Sequence, residues 1–238
     1  RRRAEFYKAC LEVLLGRWVK AKEMDVCLDI EDALNVLRPL AYHLHSEGRR
    51  DDLTAAEFAE VVREPLATVR RRISEVPQPP ELLRWLRRDA GVLTEYGPDQ
   101  YGFMHLGLQE YLTALHAARE GGDLLDALAD ELGEKWWHEV ILLVVGLSEY
   151  KAFVPVMEAV VSRGEVAAHL DLLGQCLNDA HDPDPEPFCD LLADGDAPAE
   201  QRAAVLRLFG DRSEEAILEI VPRLVGHKDP DLAALAAQ

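Results

Sequence analysis

The chemistry open to this chain is narrowed by what its reactive residues stand next to. Its six lysines, Lys8, Lys20, Lys22, Lys135, Lys151 and Lys228, are followed by Ala9, Ala21, Glu23, Trp136, Ala152 and Asp229. None is the lysine of a G-K-[ST] phosphate loop, in which the next hydroxyl holds magnesium, so these residues do not cradle a nucleoside triphosphate in that way. The serine elbow G-x-S-x-G and the zinc motif H-E-x-x-H are also missing. No catalytic residue is assigned, and the chain is expected not to be an enzyme by itself.

The ligating side chains are weighed next. His43 and His45 flank Leu44; two apart on a helix, they face different sides, which argues against a shared metal ion. His181, Asp182 and Asp184 sit among prolines and read as a solvated linker rather than a cation site, and Trp136 and Trp137 read as packing. No metal site is assigned. Arg70, Arg71, Arg72, Arg84, Arg87 and Arg88 could contact DNA phosphates, the reading of a DNA-binding regulator, although adjacent arginines on a helix more often mark a solvated face. The best single candidate is His105. It ends a strand and precedes a helix, where an imidazole N–H and the free backbone N–H groups of a helix start can together meet an anion such as phosphate; the alternative is a histidine packed at a strand end.

Charge separates the chain into two parts. Of its 238 residues, Arg1 to Arg88 hold 17 basic against 15 acidic side chains, whereas from Asp89 onward there are 9 against 29. A net charge of −18 disfavours general binding to polyanions, DNA included, and makes the acidic part a surface for a basic or protein ligand. Cys10, Cys27, Cys176 and Cys189 have no C-x-x-C spacing, and no secretory signal precedes them; a reducing cytoplasm is expected. The longest apolar run, Val140 to Leu147, is far short of the ~20 residues of a membrane span. The chain opens on Arg1 without an initiator methionine and is expected to be a piece of a longer protein, with repeats that could continue past Gln238.

Apolar spacing predicts mostly helices. Phe6, Cys10, Leu11, Val13, Leu14 and Trp18 form one stripe between Ala4 and Lys20; Leu34, Leu37, Leu40, Ala41 and Leu44 form another, ended by Gly48. Thr54 with Glu57 spells a capping box, and Pro77, Pro79 and Pro80 interrupt the chain before the helix from Glu81 to Arg88. Val92–Tyr96 and Tyr101–His105 around Gly97-Pro98-Asp99-Gln100 read as a hairpin, so helices followed by a hairpin suggest a winged helix with the hairpin as wing. Leu108, Tyr111, Leu112 and Leu115 return to helix. Trp137, Val140, Ile141 and Val144 predict a central buried helix; Pro183, Pro185 and Pro187 predict a stiff extended linker. Leu191, Asp196 and Ala203 have counterparts at Leu224, Asp229 and Ala236, an offset of 33 residues that suggests stacked helical repeats.

The stretch Tyr101-Gly-Phe-Met-His-Leu-Gly-Leu-Gln-Glu-Tyr-Leu-Thr-Ala114 resembles the F-x-H-x-x-x-Q-E-Y-L-x-A signature in the winged-helix domain of NACHT-type STAND NTPases, which include NOD-like receptors and bacterial antiphage proteins. The order of motifs agrees: Tyr7 to Trp18 resembles the helix after the family's nucleotide-binding core, Ala90 to Glu95 its strand, and Trp137 to Ile141 with Gly146-Leu147 the helix opening its downstream region. The 20 arginines against 6 lysines, a bias common in GC-rich coding, point to a bacterial source. In two places the match departs. Gly107 stands where Thr or Ser is usual, removing a hydroxyl cap at a cost of a few tenths of a kcal/mol, and Leu108 replaces Phe.

The resemblance implies a mainly α protein: a linking helix over 1–24, a winged-helix domain over 25–120, a helical domain over 121–180 and truncated HEAT-like repeats over 181–238. It implies that His105 contacts the β-phosphate of ADP held by an upstream nucleotide-binding domain of the same protein, so that any ATP or ADP belongs to that domain. Ligand recognition would open this autoinhibited state and drive oligomerisation in antiphage defence, with a protein ligand on the acidic repeats. A plain helical-repeat scaffold is the remaining alternative.

Overall fold

In the computed structural model the described residues are 2–17, 28–73 and 75–210, with the side chains of Arg2 and Arg17 outside the description. They are mainly helical with one β-hairpin, and the chain divides into two compact units, one of Arg2–Arg119 and one from Glu120 onward.

The first unit opens with α1 (Arg2–Glu12), which passes into a π-helical turn at Val13–Arg17. The extra residue in that turn shifts the helix face. Ala4, Leu11 and Leu15 are the buried positions, while Phe6 and Val13 of the sequence-predicted stripe are exposed. Trp18 and Lys20, at the end of that stripe, and Cys27 lie outside the described residues. α2 (Ile30–Ser46) starts at Asp29, whose carboxylate accepts the Asp32 N–H at 2.8 Å, and carries the core residues Val36, Leu37, Leu40, Ala41 and Leu44. It ends as expected at Gly48, whose φ of +67° is the left-handed conformation that lets Gly48 and Arg49 N–H groups reach back to His45 and Leu44 carbonyls.

Two short helices follow, α3 (Ala55–Val61) and α4 (Arg63–Arg70), then α5 (Pro79–Arg88). Thr54 Oγ1 accepts the Glu57 N–H at 3.2 Å, but the other half of the expected capping box is not the one used: the Glu57 carboxylate turns to Arg49 and His43. A guanidinium offers two charge-assisted bonds where the Thr54 backbone offers one neutral one. At α5 the Gln78 N–H does donate to the Glu81 carboxylate, at 2.9 Å. Asp32, almost fully buried, is neutralised by Arg72.

The hairpin is β1 (Leu93–Gly97) and β2 (Gln100–Phe103), antiparallel with Leu93 opposite Phe103, both buried. Asp99 takes φ +53° in the turn, and its carboxylate accepts the Ala55 N–H at 3.0 Å, so the tip of the wing caps α3. Leu53 adds a one-residue third strand, exchanging two backbone hydrogen bonds with Tyr101 at 3.0 and 2.8 Å. α6 (Leu106–Glu120) then buries Leu108, Tyr111, Leu112 and Leu115. This is a winged helix, its hairpin the wing.

The second unit stacks α7 (Gly122–Ala127), α8 (Lys135–Gly146), α9 (Phe153–Ser162), α10 (Leu170–Asp179), α11 (Glu186–Ala193) and α12 (Ala199–Phe209) in the manner of a helical-repeat region. α8 is the predicted central helix; Trp137 and every residue from Val140 to Leu147 are buried, and it packs against α9 and α10. Arg163 fastens the end of α9 to Asp126 and Asp130, each at 2.7 Å. The expected proline linker is shorter than predicted. Pro187 lies in the first turn of α11 and is buried, because a residue without an N–H fits where a helix leaves that group unbonded. The second copy of the 33-residue offset, Leu224 to Ala236, falls outside the described residues.

Candidate functional site

His105 stands at the junction of wing and helix. β2 ends at Phe103, the Met104 N–H is held by the Val92 carbonyl at 2.9 Å, and the His105 carbonyl accepts the N–H groups of Leu108 and Gln109 at 3.0 and 3.4 Å. His105 therefore caps α6, and the first N–H groups of that helix have no acceptor within it. The imidazole is exposed, and among the described residues it has no hydrogen-bond partner. An exposed donor beside the positive end of a fifteen-residue helix is suited to an anion.

The elements around it explain the departure at Gly107. A Cβ there would overlap the Tyr7 hydroxyl and stand 2.8 Å from Tyr7 Cε1; Tyr7 stacks tilted on Tyr111 with ring centroids 5.9 Å apart. The aromatic ring of α1 thus occupies the space a Thr or Ser side chain would need. Gly107→Ser is expected to displace the ring and lower stability by about 1–2 kcal/mol, overpacking outweighing the restored cap; urea titration checks it, and equal or greater stability would refute the account.

Gln109 of the matched motif is fully buried, its amide donating to the Arg49 carbonyl at 2.9 Å. It positions the segment before α3 and does not face the surface where His105 is exposed. His105 also lines an apolar groove of about 570 Å³, walled otherwise by residues that include Phe6, Cys10, Val13, Leu14, Met104 and Leu108. Sequence periodicity missed it, because an apolar stripe on a helix reads the same whether or not its own chain covers it.

His43 and His45 do not converge: His45 is fully buried, whereas His43 Nε2 lies 2.9 Å from Glu57 Oε1. His43, Glu47 and Glu57 do place three ligand atoms within 4.8 Å of one another. A cationic side chain already pairs with both carboxylates of that cluster, since the Arg49 guanidinium donates to Glu57 and, at 2.7 Å, to Glu47. Arg49, followed by His43, holds the Glu57 carboxyl down to about 2 from its usual 4.5, against the opposing effect of burial. A depressed folded-state value means stabilisation that is present above pH 4.5 and is lost as pH falls towards 2. Glu57→Gln is expected to flatten the acid limb of the stability profile in that window, by about 1 kcal/mol after allowance for solvent; an unchanged slope in acid denaturation would refute this.

His181, Asp182 and Asp184 meet in a cavity of about 310 Å³, but Lys151 lines the same wall and removes a uniform preference for a cation. Of the arginines weighed for DNA, Arg72 is bonded to Asp32, Arg87 to Glu95, and Arg70 reaches Gln78 at 3.5 Å. Bonds inside the domain already use these guanidinium groups.

These features define a winged-helix domain followed by stacked helices. Residues 3–117 match the family described as a winged helix-turn-helix domain C-terminal to NACHT, so a domain of that kind is present, and the sequence holds no Walker phosphate-loop motif. No curated protein and no solved structure matches the chain significantly. No helix among the described residues is long and apolar enough to cross a membrane.

Proposed function

We propose that this chain is the regulatory and sensor part of a cytoplasmic NACHT STAND ATPase of antiphage defence. The winged helix folds onto the upstream nucleotide-binding domain, where the His105 imidazole donates to the β-phosphate of bound ADP and keeps the protein closed. Recognition of a protein ligand by the acidic helical repeats, HEAT-like in this reading, opens the contact, allows exchange for ATP and leads to an oligomer. A regulatory role is consistent with the matched domain and its helical neighbour.

The observation that carries the reading is the exposed His105 ring at the start of α6, without a partner among the described residues, inside the motif that resembles the family's phosphate contact. The residues fit an anionic group: one donor side chain, unbonded helix N–H groups and no carboxylate on the wall of the groove beside them. The reading is tested by the ADP released on denaturing the full-length protein, wild type against His105→Ala. Equal ADP in both removes His105 from the phosphate contact, and none in either supports the scaffold alternative.

A further inference from the structure

We propose that the second unit holds a binding site for a small zwitterion with an apolar body: an aliphatic amino acid, or a short apolar peptide with both ends free. The site is the cavity of about 310 Å³ where the end of α8, the loop into α9 and the segment after α10 meet. Val145, Leu147 and Phe153, otherwise buried, give it an apolar floor, with the half-buried Val154 beside them. Its rim carries Lys151, Asp182 and Asp184, all exposed. An apolar hollow edged by a few charged groups is the arrangement that binds small ligands, and this one lies at the lower end of their ~300–1,000 Å³ range.

The charges select the ligand. Lys151 and Asp182 line one cavity, yet among the described residues neither forms an ion pair, with the other or with any third group. Each stands close to a helix end of its own sign: α9 starts just after Lys151 with N–H groups that have no acceptor in the helix, and α10 ends just before Asp182 with unbonded carbonyls. Those neighbours reinforce each charge and leave it to a ligand of opposite sign. Lys151 disfavours a lone metal ion, and the two carboxylates disfavour phosphate; a molecule with one charge of each sign answers both. The segment bearing the carboxylates is already fixed, because the His181 N–H donates to the Val145 carbonyl at 3.1 Å and Asp184 accepts the Glu186 N–H at 3.0 Å. Binding therefore costs little ordering, and Asp182 is the carboxylate left for an ammonium group. Every residue of the site belongs to the unit from Glu120 onward, so the inference rests on no part of the nucleotide reading.

The test is a titration of the 238-residue chain, followed by nuclear magnetic resonance, with four probes: L-leucine, N-acetyl-leucine, leucinamide and leucyl-leucine. Leucine is expected to saturate and to bind about tenfold more tightly than N-acetyl-leucine, which lacks the ammonium, or leucinamide, which lacks the carboxylate; this is the lower end for a bond to a charged group, because the rim is open to solvent. Asp182→Asn should bring leucine down to the affinity of N-acetyl-leucine. Lys151→Glu should reverse the order, so that leucinamide binds more tightly than leucine. Both positions are exposed, and circular dichroism checks that both variants fold. Tighter binding of leucyl-leucine than of leucine identifies a peptide as the source of the ligand, and weaker binding identifies the free amino acid. No saturation by any of the four probes overturns the proposal, as does equal affinity for leucine and its two singly charged derivatives. An order of affinities that survives Lys151→Glu also overturns it, since the apolar floor alone would then account for binding.

Discussion

Replacing Gly102 with alanine is expected to lower the stability of the winged-helix unit by about 3 kcal/mol, the upper end of what one forced methyl group costs in a packed site. A Cβ at Gly102 would run into the Arg50 carbonyl oxygen and come within 2.9 Å of the Asp51 Cα. Both are backbone atoms and have no rotamer to give way. To make room, the 50–53 segment must leave the wing, which breaks the two Leu53–Tyr101 hydrogen bonds and disturbs the Arg49 carbonyl that Gln109 holds. Gly97 supplies the control: a Cβ there meets only Gln100 side-chain atoms, the nearest at 2.6 Å, and the end of a flexible side chain can move. Gly97→Ala should therefore cost under about 1 kcal/mol. For a domain of this size the difference is roughly 10 °C or more in Tm. Calorimetry of both variants checks it, and equal Tm values would show that the wing does not pack closely against the segment before α3.

The second large effect is on nucleotide retention. A hydrogen bond to a charged group contributes about 1.5–3 kcal/mol, so His105→Ala in the full-length protein is expected to weaken ADP by roughly 10–100-fold. The coupling is reciprocal: if ADP favours the closed state through His105, loss of the ring also favours opening, and the variant should oligomerise at lower ligand concentration. Released ADP measured by chromatography and mass measured by light scattering give the two readouts. Because His105 is exposed and makes no hydrogen bond among the described residues, the substitution should leave the unfolding free energy within about 0.5 kcal/mol of wild type and Tm nearly unchanged. Lost ADP together with a collapsed Tm would mean that the ring acts by packing.

Much of the fold was legible in the sequence because its determinants are local. The period of Leu37, Leu40, Leu44 and of Val140, Ile141, Val144 specifies a helix face; Gly48 specifies a left-handed stop; and the change of period at Leu93–Phe103 specifies a hairpin. His105 could be singled out for the same reason, since strand end and helix start are neighbours in sequence. The partners of charged side chains were not legible. Arg49 is bonded to Glu47, Asp52 and Glu57, Arg72 to Asp32, and Asp99 caps α3 from 44 residues away. The spacing of like residues carries no information about which opposite charge the fold brings near.

What the sequence determined by itself is the order of helices, the wing, the two surfaces of opposite charge balance and the motif around His105. Each follows from residue type and short-range spacing, which act before any tertiary contact forms. Only the tertiary structure decided that Phe6 and Val13 face outward while Ala4, Leu11 and Leu15 face in, and that Gly107 makes room for Tyr7. A π-helical turn and a ring packed across two helices are settled by shape complementarity between elements far apart in the chain, and the energy of that fit resides in no single segment.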